Sequence, residues 1–239
     1  MILPDTLLVI PTYRDGARLT RFLPELCAEL ARGPGGVTVQ VIDDGSAVGE
    51  QLWLMTEIDH ARRTYPFLQP LLFGKTNRGK GHAIRTGWAA AGQVRWLAFV
   101  DADGAAPATE VAALLALARS SAQPAMFIAV RTEQPGKPVK RFWYRRLGSR
   151  LFNSWVRRRL GLDFPDTQCG LKIIPASFYN DAVWHEAGFA FDLELLLRAR
   201  AVALPVITQP IIWSERSGSS LGPGGMIGLF AAVWRLHRK

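Results

Sequence analysis

The feature that most limits how this chain can fold is a repeated alternation. Short apolar runs are each followed by a stretch of helical periodicity, and a polar cluster stands where each run stops. Residues 7–10 form the first run, and apolar residues recur at helical spacing over 19–30. Residues 37–42 alternate and are partly β-branched, then stop at Asp43-Asp44-Gly45-Ser46; a helix is predicted over 48–63. Further strands are predicted at 71–73, 96–100 and 126–130, with a glycine-rich stretch at 74–87 and a helix at 109–119. Strands alternating with helices imply an α/β fold, a doubly wound, mostly parallel sheet flanked by helices. In such sheets ligands gather at the carboxyl ends of the strands. The polar clusters fall there: Pro11-Thr12-Tyr13-Arg14-Asp15, Asp43-Asp44, Asn77-Arg78-Gly79-Lys80, and Asp101 with Asp103. Four clusters at successive strand ends predict one site.

Asp101 and Asp103 follow a buried strand run and are one residue apart. Two such carboxylates can face one pocket and hold a hard divalent cation together with a diphosphate. Taken alone, Asp103-Gly104 is also an ordinary turn dipeptide. Asp43-Asp44-Gly45-Ser46 reads either as a turn with a helix cap or as strand-end carboxylates for a nucleotide. The segment Asn77-Arg78-Gly79-Lys80-Gly81-His82-Ala83 has neither P-loop nor G-x-G-x-x-G spacing. Its glycines permit close backbone approach, and Lys80 or Arg85 could meet a diphosphate; a solvated basic turn is the alternative.

Charge narrows the partners. The chain of 239 residues carries a net +9. Residues 131–160 hold ten lysines and arginines against one acid, Glu133, so the remainder balances at 19 of each sign. Within that segment Tyr144, Leu147, Gly148, Leu151, Phe152 and Trp155 recur at helical spacing among arginines. Basic residues with aromatics suit an anionic membrane interface or nucleic acid; a core helix with a solvated basic face is the plain alternative. Residues 221–239 offer a second interfacial helix or a core one. Two widely separated cysteines, Cys27 and Cys169, form no disulfide framework, and no apolar run reaches spanning length. The cysteines lead us to expect a reducing compartment, the cytoplasm. The four histidines show no metal-ligand spacing.

Read in order, the motifs become specific. Pro11-Thr12-Tyr13, Ile42-Asp43-Asp44-Gly45-Ser46, the run from Asn77 through Lys80 to Gly87, Asp101-Ala102-Asp103-Gly104, Asp166-Thr167-Gln168-Cys169-Gly170 and Phe191-Asp192-Leu193-Glu194 resemble family 2 of the inverting glycosyltransferases. The dolichyl-phosphate (polyprenyl-phosphate) β-glucosyltransferases, beside the related mannosyltransferases, are the most similar branch, over roughly residues 5–220. The resemblance implies a GT-A fold in one domain spanning 1–220, a nucleotide-sugar donor, and Mg2+ or Mn2+ at Asp101 and Asp103. It implies nucleotide contacts from Pro11, Tyr13, Asp15, Asp43, Asp44, Lys80 and Asp101. Arg131, with Arg141 and Arg145 of the basic segment, would face the acceptor, and Asp103 and Asp192 would be catalytic. Asp15 stands where the family usually has Glu. Ala105 stands where mannosyltransferase relatives have Gln, which favours UDP-glucose over GDP-mannose. The implied reaction moves a hexose onto a polyprenyl phosphate, which implies a peripheral place on the cytoplasmic face of a membrane, and whether a membrane-embedded partner protein is required stays open. A sugar or glycolipid hydroxyl is the alternative acceptor, with Asp192 as its general base. A non-catalytic nucleic-acid-binding protein is a third reading, although no recognised nucleic-acid module occurs.

Overall fold

The computed structural model describes residues 4–140, 143–216 and 223–237, the side chains of 143–146 and 223–227 excepted. The apolar runs become strands β1 (Thr6–Thr12), β2 (Val37–Asp43), β3 (Leu72–Phe73), β4 (Trp96–Val100) and β5 (Met126–Val130). Between them lie helices α1 (Gly16–Arg32), α2 (Val48–Thr64), α3 (Lys80–Ala89) and α4 (Ala108–Ser120). The second half adds β6 (Val139–Lys140), α5 (Trp143–Leu160), β7 (Leu171–Pro175), α6 (Ala176–Asn180), α7 (Phe191–Ala201), β8 (Val206–Pro210), β9 (Trp213–Ser214) and α8 (Pro223–His237).

Seven strands form one sheet in the order β3-β2-β1-β4-β7-β5-β8, and β6 pairs with β9 apart from it. Every pairing in the large sheet is parallel except those of β7, which runs antiparallel to both β4 and β5. The order reverses at β1, flanked by β2 and β4, and a switch point of this kind opens a crevice at the strand ends.

Period-2 alternation divides the core into two layers. Leu8 and Ile10 of β1, with Ala98 and Val100 of β4, pack under α1 and α4. Leu7, Val9, Leu97 and Phe99 face the opposite layer, with α3, α7 and the inner faces of α5 and α8. Helix α1 fits its layer because Leu19, Phe22, Leu23, Leu26, Cys27 and Leu30 fall on one stripe, all buried.

The basic segment divides. Lys137 is tied to buried Glu110 by a 2.7 Å hydrogen bond. Phe152, Val156 and Leu160 of α5 are core residues, while Leu147 and Leu151 are exposed. Helix α8 packs on α5: Phe230 meets Phe152 edge-on at 5.6 Å and lies 4.9 Å from Trp155. Leu229, Ala232 and Val233 are buried, whereas Phe230 and Trp234 stay exposed. Among the described residues no helix is long and apolar enough to cross a membrane.

Candidate active site

At the carboxyl ends of β1 and β4 lies a cavity of about 580 Å3. Pro11, Thr12, Tyr13, Asp15, Asp44, Lys80, Asp101, Asp103, Asp166 and Asp192 line it, with Arg131 of the basic segment, so the structure brings together residues drawn from all six sequence motifs. Asp43 does not line it. Its carboxylate is fully buried and accepts hydrogen bonds from the N–H groups of Gly45 (3.1 Å) and Ser46 (2.8 Å), from the Ser46 hydroxyl, and from the Gln51 amide (2.8 Å). It therefore shapes the loop after β2. Adjacent Asp44 faces the cavity, where it accepts from Arg78 N–H (3.0 Å) and Gly79 N–H (2.6 Å). Burial holds its carboxyl above the usual carboxylate range despite those two bonds. Gly79 has φ 102°, and a Cβ there would meet the Ala187 carbonyl at 2.6 Å, so the bend that presents these N–H groups requires glycine.

Beside Asp44, the Thr12 hydroxyl is buried, and its oxygen has no partner among the described residues. A buried hydroxyl left unpaired is destabilising, and a ligand in the cavity could supply the missing partner.

Across the cavity, Asp15, Asp101 and Asp103 crowd together. Burial, then the charge of Asp101, push the Asp103 carboxyl above its usual range, although it accepts from Ala105 N–H at 2.9 Å. Burial likewise raises Asp15, in spite of its ion pair with Arg18. Asp101 sits against Gly170, where a Cβ would fall 1.8 Å from Asp101 Oδ2. Among the described residues no group of three or more His, Cys, Asp or Glu could hold a metal by itself. Two crowded carboxylates with room for phosphate oxygens and water are nonetheless how Mg2+ is commonly held. The donor set therefore fits a hard cation that arrives with a diphosphate.

Lys80 Nζ lies 2.8 Å from Asp101 Oδ1 and 3.3 Å from Asp192 Oδ2. Burial alone would depress Lys80, but Asp101 and Asp192 outweigh it and hold the ammonium charged. Asp192, 2% exposed on its side chain, binds the buried ammonium of Lys172 through its other oxygen. Glu194 turns away from the cavity and accepts the N–H groups of His185 and Glu186, each at 2.9 Å. Arg85 donates to the Trp184 carbonyl at 2.7 Å and does not line the cavity. Arg131 is at the cavity wall with two nitrogens on Asp166, one of them at 2.7 Å, and its guanidinium lies 5.0 Å from the Trp213 ring centre. Burial would raise the Asp166 carboxyl, but Arg131 reverses this and holds it below the usual range. Arg141 lies outside the described residues, as does the side chain of Arg145.

Thr12, Gly170, Lys172, Trp213 and Arg216 were not singled out from the sequence as site residues, yet each lines or braces the cavity. The Asp-Thr-Gln-Cys-Gly motif was the available signal for Gly170 and for Lys172 two residues later.

Comparison with known proteins identifies the family. The profile of Glycosyl transferase family 2 matches residues 7–183. The dolichyl-phosphate beta-glucosyltransferase of Drosophila melanogaster is 28% identical over 90% of this chain and 68% of its own length. That of Saccharomyces cerevisiae is 27% identical over 89% and 68%. Among solved structures, glucosyl-3-phosphoglycerate synthase from Mycobacterium tuberculosis in complex with UDP superposes with a TM-score of 0.69 at 13% identity, covering 98% of this chain and 80% of that one. Mannosyltransferase PcManGT from Pyrobaculum calidifontis in complex with GDP-Man and Mn2+ gives 0.59 at 17% identity; the match covers 100% of this chain, which spans 61% of that one. The family match extends from β1 past β7 and takes in the strand ends that form the cavity. The chain is a glycosyltransferase of GT-A fold and belongs to glycosyl transferase family 2.

Proposed function

We propose that this chain transfers one hexose from a nucleoside diphosphate sugar to a polyprenyl phosphate at a membrane surface, with inversion at the anomeric carbon, and that it prefers UDP-glucose to GDP-mannose. One observation carries the reading. The cavity that contains Asp44, Lys80, Asp101 and Asp103 is also walled by Phe152 of α5, Phe189 and Leu229 of α8. Polar groups suited to a nucleotide diphosphate and an apolar wall suited to a lipid thus share one space. The seam of α5 and α8 behind that wall exposes Leu147, Leu151, Phe230 and Trp234, with Arg150, Arg157 and Arg158 exposed on the same helix as the leucines. Apolar side chains among arginines suit an anionic lipid surface.

Each group then has a task. Thr12 and Asp44, with Pro11 and Tyr13, form the nucleoside end, and Asp43 holds their loop. Lys80 meets the diphosphate, and Asp101 and Asp103 hold Mg2+ or Mn2+. When bound, the cation neutralises charge on the departing diphosphate. The acceptor phosphate is already ionised, with a second pKa of about 6, so no general base is needed. Asp192 agrees with this, because both its oxygens are engaged by ammonium groups. Arg131 retains N–H donors beyond those that meet Asp166. With Arg216, also at the cavity, it can receive the acceptor phosphate. The names of the relatives and Ala105 together support a UDP-glucose donor. Residues 1–220 make up the transferase domain, and 221–239 complete its membrane-facing side. The cytoplasmic face of the membrane is the expected location.

The test is a donor screen with a short polyprenyl phosphate, following release of nucleoside diphosphate and formation of the lipid-linked sugar. UDP-glucose should give the highest kcat/KM. Turnover only with a hydroxyl acceptor, or full turnover in excess chelator, overturns the reading.

A further inference from the structure

Lys172 is a fully buried cation that the reaction outlined above does not use. It is the second residue of β7, opposite Phe99 of β4 and Ile128 of β5, and alternation turns it toward α3 and α7. Its ammonium donates to the Cys169 carbonyl at 2.7 Å and to Asp192 Oδ1. Asp192 Oδ2 in turn receives Lys80, which reaches Asp101 at 2.8 Å. Both ammonium groups approach the same Phe99 ring, Lys80 at 5.1 Å and Lys172 at 5.7 Å from its centre. Charges thus alternate in a row, Lys172, Asp192, Lys80, Asp101, that runs from the sealed core to the cavity.

An ion pair that only joined β7 to α7 could be replaced by apolar side chains at little cost. This one shares its carboxylate with a cavity residue. We propose that Lys172 is a positioning residue for donor binding: by anchoring Asp192 it fixes Lys80 beside Asp101, where the diphosphate enters. The proposal rests on the reading that the cavity takes a nucleoside diphosphate. Without the Lys172 charge, Asp192 has Lys80 as its one remaining cationic partner among the described residues. Lys80 is then drawn toward Asp192 and away from its position between the two acids.

The experiment is a double-mutant cycle read by calorimetric titration of UDP with Mn2+ and by donor kinetics. Wild type, Lys172→Met, Asp192→Asn, the double variant and Lys172→Arg are compared, with circular dichroism to confirm folding. Lys172→Met should weaken UDP binding and raise the donor KM by about tenfold, a coupling of ordinary size for contacting charges. It should change kcat less, and Lys172→Arg should recover part of the loss. In the Asp192→Asn background the same substitution should change UDP affinity by less than about threefold. Should Lys172→Met alone not fold, comparison of Asp192→Asn with the double variant still decides. An equal loss in both backgrounds means a purely structural role and overturns the proposal, as does a folded Lys172→Met with wild-type UDP affinity. Wild type that binds no nucleotide overturns both this proposal and the donor reading. Wild type that binds UDP but does not glycosylate a lipid phosphate overturns only the acceptor reading.

Discussion

Replacing Gly170 by alanine separates the acidic pair from the rest of the fold. The backbone of Gly170 is not in the left-handed region, so alanine is conformationally acceptable there. The added methyl would sit 1.8 Å from Asp101 Oδ2, 2.1 Å from Cγ and 2.6 Å from Oδ1, while ordinary contact starts near 3.4 Å. The carboxylate must therefore retreat by at least about 1.6 Å, and a shift of about 1 Å at a reacting site can cost about 10²-fold in rate. Asp101 is 35% exposed on its side chain, so it can swing toward solvent and leave its 2.8 Å contact with Lys80. Since the strain is relieved by a mobile carboxylate, the cost in stability should stay near the lower end of the usual overpacking range, about 1 kcal/mol. Steady-state kinetics, Mn2+ titration in the presence of UDP, and thermal denaturation monitored by circular dichroism measure the three consequences. The expected result is a folded protein with turnover down about 10²-fold or more and weakened Mn2+ binding. A folded Gly170→Ala enzyme with wild-type kcat and Mn2+ affinity refutes the argument.

Asp103→Asn should reduce turnover by about 10²–10³-fold while leaving Tm unchanged or higher, because its charge is disfavoured by burial and by Asp101; a loss of Tm comparable to that of a core deletion contradicts this. Substituting Asp for Leu147 and Leu151 together with Glu for Arg150 and Arg157 should abolish flotation with anionic liposomes, since each basic residue near such a surface adds about 1 kcal/mol; equal flotation of wild type on neutral and anionic vesicles removes the basis for a membrane surface. Burial pushes the Cys27 thiol from 9.0 up to about 12. The unfolded chain therefore loses that proton first, and the thiol's contribution to stability, complete below pH 9, falls as pH rises toward 12. Melting curves of wild type and Cys27→Ala from pH 8 upward should show their difference shrinking; a constant difference contradicts the burial argument.

Much of the frame was legible because it depends on local pattern. The runs at 7–10, 37–42, 96–100 and 126–130 form strands, and the polar residues that end them meet at one edge. What stayed hidden depends on pairing between distant residues. Asp43 and Asp44 are identical in type and adjacent, and only the fold shows that one is sealed in its loop while the other faces the cavity. Lys172 interrupts an apolar run, which ordinarily argues against burial; its partner Asp192 lies twenty residues further on. Periodicity says nothing of strand direction, so the reversal of β7 could not be foreseen. Likewise, the regular spacing of α5 did not distinguish Phe152, which is buried, from Leu151, which is exposed.

That reversed strand also governs how the enzyme can be assembled. Strands β4 and β5 are not neighbours; β7 lies between them and touches both. The first half of the chain can build β3-β2-β1-β4, and the second half contributes β5, β7 and β8. The two meet along β4 and β7, from Val100 opposite Leu171 to Trp96 opposite Pro175. Thr12, Asp44, Lys80, Asp101 and Asp103 come from one side of that joint, and Arg131, Asp166, Gly170, Lys172 and Asp192 from the other. Neither part alone contains a complete site, and besides the five-residue ladder the two share both core layers, α3 packing on α7 and α4 on β7, so the site exists only once this whole joint is closed.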